Sequence, residues 1–115
     1  MSAPIVFFDI AGPDSGDLSS FYQSIFGSEI GADGRFSPGV VAPLGASIRQ
    51  DPAEKVIYVG VEDVTATLDQ VIEGGGAIVA PRFEVPGVVV LGLFTDPAGN
   101  RMGLVEMDGD THVVP

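Results

Sequence analysis

Few side chains in this sequence can do chemistry, and Asp9 and Tyr58 come nearest to a reactive pair. Asp9 interrupts the apolar run Val6-Phe-Phe-Asp-Ile10, where a buried carboxylate must be hydrogen-bonded, be paired or shift its pKa upward. A raised pKa would suit it as a general base, with the phenol of Tyr58 as acid or oxyanion donor. Both residues also have purely structural roles open to them. Asp9 can accept hydrogen bonds from the backbone or from Tyr58, and Tyr58 can be an inward aromatic with its hydroxyl at a cavity rim. Arg49, on a face with Ser47, can bind an anionic group, pair with Asp9 or remain at the surface.

Other reactive chemistry is poorly represented. The sequence has no cysteine, which excludes disulfides, thiolate metal sites and cysteine nucleophiles. His112 is the single histidine and falls in a polar stretch without periodicity, a poor position for a ligand or base. There is no Gly-rich phosphate loop, Ser-His-Asp arrangement or paired His-x-x-x-His.

The elements that must hold these residues are written twice. In the first copy, Pro4 to Ile10 reads as a strand, rich in β-branched and aromatic residues and closed by Ala11-Gly-Pro13. Asp14 and Ser15 can cap a helix in which Leu18, Phe21, Tyr22, Ile25 and Phe26 form one buried face before Gly27. Ser28 to Gln50, broken repeatedly by glycine and proline, reads as short strands with tight turns.

The second copy opens with a strand from Lys55 to Val61. Its helix begins at Glu62-Asp63 with the stripe Val64, Leu68, Val71 and Ile72, and ends at Gly74-Gly-Gly76. Strands are expected over roughly Ala77 to Phe83, Val88 to Thr95 and Arg101 to Glu106, the middle one apolar on both faces and therefore inside the sheet. Asp96-Pro-Ala-Gly-Asn100 is a turn between the last two. Each copy is thus βαβββ, about residues 1–53 and 54–107 of one α+β domain, with 108–115 expected to be a flexible tail. Helices would lie outside a curved mixed sheet that wraps a shared cleft.

Composition narrows the partners. At 115 residues and 45% hydrophobic content, with a mean hydropathy of +0.36, the chain can bury a core. A formal charge of -11 repels phosphate backbones and anionic lipids, so neither nucleic acid nor membrane is an expected partner. The charge serves solubility in the plainer reading and attracts a cationic ligand in the sharper one. The first residues carry neither a basic region nor a long apolar run, so a cytoplasmic location is expected.

Three groups of residues carry a resemblance to the vicinal oxygen chelate superfamily, which includes glyoxalase I, bleomycin resistance proteins, extradiol dioxygenases and fosfomycin resistance enzymes. They are Phe8-Asp-Ile10 followed by Phe21-Tyr22 and Phe26-Gly27; Tyr58-Val-Gly-Val-Glu-Asp-Val64; and Asp96-Pro-Ala-Gly-Asn100 leading into Gly103-Leu-Val-Glu106. The resemblance implies a cleft between the copies, a homodimer and, in the enzymes, a divalent metal held by His and Glu. It places the former ligand positions on Phe7, Val56 and Gly103, with a fourth near Ala46 to Ile48. The side chains of Phe7, Val56 and Gly103 supply no lone pair, nothing near Ala46 to Ile48 is a good ligand, and Glu106, three residues past Gly103, should face the opposite side of its strand.

No metal or other cofactor is therefore expected. Alternation then groups Phe7 with Asp9, and Val56 with Tyr58 and Gly60; with Arg49 and Gly103 they are the expected lining of an apolar small-molecule site. The leading expectation is a metal-free binding protein that sequesters a cationic or apolar drug or metabolite, as in antibiotic resistance. The alternative is a metal-independent lyase, isomerase or hydrolase using Asp9 and Tyr58. The apolar surface around Val40-Val41 and Val88-Val-Val90 is compatible with dimerisation.

Overall fold

The computed structural model describes residues 5–115. The expected start of the first strand at Pro4 lies outside the described residues. The first regular element is helix α1, Ser15–Phe26. Asp14 caps it by accepting from the Asp17 amide at 2.9 Å, and Gly27, left-handed at φ 68°, ends it by donating its N–H to the Gln23 carbonyl. Its buried face is Leu18, Phe21, Tyr22 and Ile25, as the heptad-like spacing requires.

The second copy forms its complete βαβββ unit. Strand β1, Tyr58–Val61, leads into helix α2, Val64–Glu73, followed by β2, Ala77–Val85, β3, Val89–Thr95, and β4, Arg101–Asp108. The sheet order is β1-β4-β3-β2, with β1 parallel to β4 and the other pairs antiparallel. An α+β chain with a mixed sheet and its helices on one face is the expected class. β3 lies between β2 and β4, and its alternation places Val90, Gly92 and Phe94 under the helices while Leu91 and Leu93 face the other way.

The core lies between the helices and this sheet. Phe94, Leu104, Val64, Val71 and Val90 are its largest fully buried side chains, each stabilising the fold by about 1.5–3 kcal/mol through removal from water. Phe94 packs against both Phe21 and Phe26, tying the first helix to the second-copy sheet. Two expected assignments change. Ile72 is 54% exposed and Thr67 takes its place in the buried stripe of α2, while Val90 is core and not a surface patch.

The first copy departs more from expectation. Its helix forms, but residues 5–10 and 28–50 make no sheet ladder, and the strands expected there are absent from the regular structure. A run of β-branched residues can form a strand only where a neighbour offers backbone N–H and C=O groups. Here the glycine-rich stretch closes on itself instead, Gly31 donating to the Arg35 carbonyl and Gly34, at φ 81°, donating to Gly31. Ile5, Val6, Phe7, Val40, Val41, Leu44 and Ile48 are left exposed.

The end of the chain also differs. Residues expected to be a flexible tail turn at Gly109, φ 62°, and strand β5, Thr111–His112, pairs antiparallel with β4 through Met107 and Asp108. Gly87 donates to the Pro115 carbonyl, fastening the terminus across the β2–β3 turn.

Candidate ligand-binding site

The sheet face turned away from the helices carries the candidate site. Register sets Tyr58 beside Gly103 and Gly103 beside Leu93, then Gly60 beside Val105, Val105 beside Leu91 and Leu91 beside Phe83. Residues in one cross-strand row share a face, so these form one open apolar surface. The segment Arg49 to Glu54, joining the two copies, walls one side of an open cavity of about 460 Å³ that is lined also by Val56, Tyr58, Phe83, Leu91, Leu93 and Arg101. That volume lies in the range of small-molecule pockets.

Tyr58 occupies a particular place in this face. Its ring lies across Gly103, so that a Cβ on Gly103 would stand 2.3 Å from Tyr58 Cδ1 and 2.5 Å from Cε1. Gly103 is therefore required as a small residue rather than for an unusual backbone angle. Gly60 is crowded in the same sense, its missing Cβ taken up by the Met107 side chain at 2.7 Å.

A charged group closes the mouth. Glu54 accepts from Arg101 Nη1 at 3.2 Å with one oxygen and from Arg49 Nη2 with the other, while Arg49 Nη1 reaches Asp51 at 2.6 Å. The Arg49 and Arg101 guanidiniums hold the Glu54 carboxyl below the usual carboxylate range, and the Glu54 and Asp51 carboxylates hold the Arg49 guanidinium above its ordinary value.

Of the expected site residues, the cavity brings together Arg49, Val56 and Tyr58, with Gly103 under the tyrosine ring. Gly60 stays on the same face, beside Val105. Phe7 and Asp9 are not among its walls: both are exposed, on a segment that joins no sheet. Among the described residues no hydrogen bond or ion pair links Asp9 to Tyr58 or to Arg49, because the expected strand that would have turned Asp9 inward is not formed. The pairing of Arg49 with Asp51 and Glu54 replaces its expected pairing with Asp9.

Glu54, Phe83, Leu91, Leu93 and Arg101 were not anticipated. The Arg49 to Glu54 spacing was readable in the sequence, whereas the other four reach the cavity through sheet register.

The turn between β3 and β4 is a structural device. Asp96 Oδ1 accepts from the Ala98 and Asn100 amides, both at 2.9 Å, and Oδ2 accepts from Tyr22 Oη at 2.7 Å and Asn100 Nδ2 at 2.9 Å. Asn100 Nδ2 also donates to the Ala11 carbonyl at 2.8 Å. Burial, followed by the Asp96 carboxylate, pushes the Tyr22 hydroxyl far above its ordinary pKa. Turn, first helix and entry loop are thus joined by one buried carboxylate.

Glu106 faces the helices, as alternation requires. It binds Arg82 through Nε at 3.2 Å and Nη2 at 2.7 Å, and accepts from the first amide of α2, Val64, at 3.3 Å. The Arg82 guanidinium holds its carboxyl below the usual range.

The positions that the resemblance assigns to metal ligands do not fit a divalent cation. Phenylalanine, valine and glycine side chains offer no lone pair, Phe7 lies outside the cavity, and the space a ligand at Gly103 would need is filled by Tyr58. Among the described residues, no three His, Cys, Asp or Glu side chains converge as a metal site, and no helix is long and apolar enough to cross a membrane.

No protein-family model matches the chain. It is 30% identical over 114 residues to "Putative glyoxylase CFP32" of Mycobacterium bovis, and equally to that of Mycobacterium tuberculosis, with 84% of this chain aligned. The chain spans about 42% of the length of those curated relatives. Among solved structures, a hypothetical protein, SA1046, from S. aureus superposes with a TM-score of 0.67 at 20% identity, covering 93% of this chain and 96% of that one.

A glyoxalase/bleomycin resistance protein/dioxygenase family enzyme from Burkholderia phytofirmans gives 0.63 at 16% identity, covering 81% and 90%. A glyoxalase-related enzyme from Fulvimarina pelagi gives 0.63 at 16%, covering 90% and 92%. The chain has the vicinal oxygen chelate fold, the architecture of the glyoxalase, bleomycin resistance protein and dioxygenase superfamily.

Proposed function

We propose that this chain is a metal-free small-molecule-binding module whose ligand lies against the open sheet face, between Tyr58, Leu91, Leu93 and the Arg49 to Glu54 wall. The observation that carries this is the Tyr58 ring seated over Gly103: an aromatic floor stands where the fold family's enzymes would place the last metal ligand. An apolar lining with a few polar groups at its mouth is the usual character of a binding site. Sequestration of a drug or metabolite needs nothing more than such a surface. With Asp9 outside the cavity, the geometry gives no support to an acid–base pair with Tyr58.

The reading includes a homodimer. Eight large apolar side chains of the first copy, from Ile5 to Ile48, are exposed in a single chain, and a second copy that covers them would also deepen a cavity now open on one side.

The test is a methyl-NMR titration with 2-naphthylmethanol, a neutral bicyclic probe chosen for size. Shifts confined to the methyls of Val56, Leu91 and Leu93 support the reading. Saturating probe that leaves those methyls unmoved refutes it.

A further inference from the structure

We infer that the ligand of this cavity is an apolar molecule bearing a carboxylate or similar anionic head, which enters by displacing Glu54 from Arg49 and Arg101. The inference rests on the binding role proposed above and adds the chemical class.

Its basis is the distribution of positive charge. The chain has five basic residues against sixteen acidic ones, yet two of the five, Arg49 and Arg101, come to the mouth of one cavity. They arrive from distant parts of the sequence, Arg49 on the joining segment and Arg101 at the start of β4, and meet only through Glu54. Two guanidiniums sharing one carboxylate are a cradle for an anion, and that carboxylate sits where a ligand's head group would lie.

The cradle is not saturated. Arg101 reaches Glu54 through Nη1 alone, and among the described residues its Nε and Nη2 meet no protein acceptor. Both guanidiniums remain part-exposed, at 43% and 45%, so an incoming anion can reach them without dismantling the core. Glu54, on the joining segment, is already part-exposed and can turn to water when displaced. Asp51 stays on Arg49 and keeps that side chain placed.

Behind the mouth, Val56, Tyr58, Phe83, Leu91 and Leu93 offer only carbon and one phenol. A cation would find no carboxylate on the floor, and the two carboxylates at the mouth are already paired with arginines. An amphiphilic anion matches both ends: head on the guanidiniums, body on the sheet.

The test compares 2-naphthoate with neutral 2-naphthylmethanol, by calorimetry and methyl NMR, on the wild type, Arg101→Gln and Glu54→Gln. Naphthoate should bind roughly tenfold more weakly to R101Q, the scale of one charge-assisted hydrogen bond lost. It should bind severalfold more tightly to E54Q, because the internal competitor has lost its charge. Naphthylmethanol, which has no charge to lose or gain a partner, should respond less than naphthoate and without the opposite signs.

The opposite signs matter, since a merely structural Glu54 would weaken naphthoate when removed. Equal naphthoate affinity across the three proteins, or a loss in E54Q, overturns the inference while leaving the binding role intact, provided naphthylmethanol still shifts the cavity methyls. Failure of both probes to reach those methyls overturns the binding role itself. If R101Q does not fold, Arg49→Gln serves in its place and must show the same selective weakening.

Discussion

Substituting Gly103 by alanine tests the seat of Tyr58 directly. The new Cβ would lie 2.3 Å from Cδ1, 2.5 Å from Cε1 and 3.1 Å from Cγ of the tyrosine, so the ring must retreat by about 1 Å to reach ordinary contact. Gly103 has no positive φ, so alanine meets no backbone penalty and regains about 0.5–1 kcal/mol over glycine in a strand. Against this, overpacking of a close contact costs about 1–3 kcal/mol, toward the lower end here because Tyr58 is 46% exposed and can swing outward.

The net expectation is a loss of about 1 kcal/mol for G103A alone. In a Tyr58→Ala background the clash is gone and the same substitution should stabilise by about 0.5 kcal/mol, giving a coupling of about 1–2 kcal/mol in the double-mutant cycle. Urea unfolding of the four proteins, with unchanged m-values, measures it. A Gly103→Ala effect that is identical in the two backgrounds would refute the seating of the ring, and with it the reason for calling this position lost to metal.

Other consequences are equally open to measurement. Tyr22→Phe removes a buried donor from Asp96 and should cost about 1.5–3 kcal/mol in urea unfolding, whereas Tyr58→Phe, with no hydroxyl partner among the described residues, should cost far less. The raised pKa of Tyr22 means that the folded state keeps its proton when the unfolded state begins to lose it. This stabilisation is complete below the ordinary value of 10.0 and declines as pH rises above it, a decline that Tyr22→Phe should abolish in unfolding midpoints measured across the alkaline range. Glu106 carries the reverse sign. Its lowered pKa contributes stability above the ordinary carboxylate value that is lost as pH falls through the folded one, so Glu106→Gln should flatten the acid limb of the stability profile.

Much of the helical framework could be read from the sequence because its determinants are local. Asp14, the Leu18 to Ile25 spacing and Gly27 specify α1 within a few residues, and Asp63 and Gly74 do the same for α2. The Asp96 to Asn100 turn was legible for the same reason. Strand partnership is not local: Val6-Phe-Phe resembles Val89-Val-Leu in composition, yet only the latter finds neighbours on both sides.

Asp9 was misplaced through that error, since its inward direction depended on a strand that did not form. Arg101 and Phe83 do not read as lining because register brings them to the cavity, and register is set by the pairing of whole strands, not by either residue's own type. The closing hairpin did have a local signal in Gly109-Asp110, a two-residue turn whose first residue is a glycine at positive φ.

Binding by the cavity without a metal is the property to test first. The direct measurement is metal content by plasma mass spectrometry of the purified protein after exposure to zinc, nickel, iron and manganese and removal of the excess, alongside the naphthylmethanol titration. The account predicts far less than one metal per chain and probe binding unchanged by a chelator. One tightly held metal per chain, with probe binding lost when it is stripped, would contradict it.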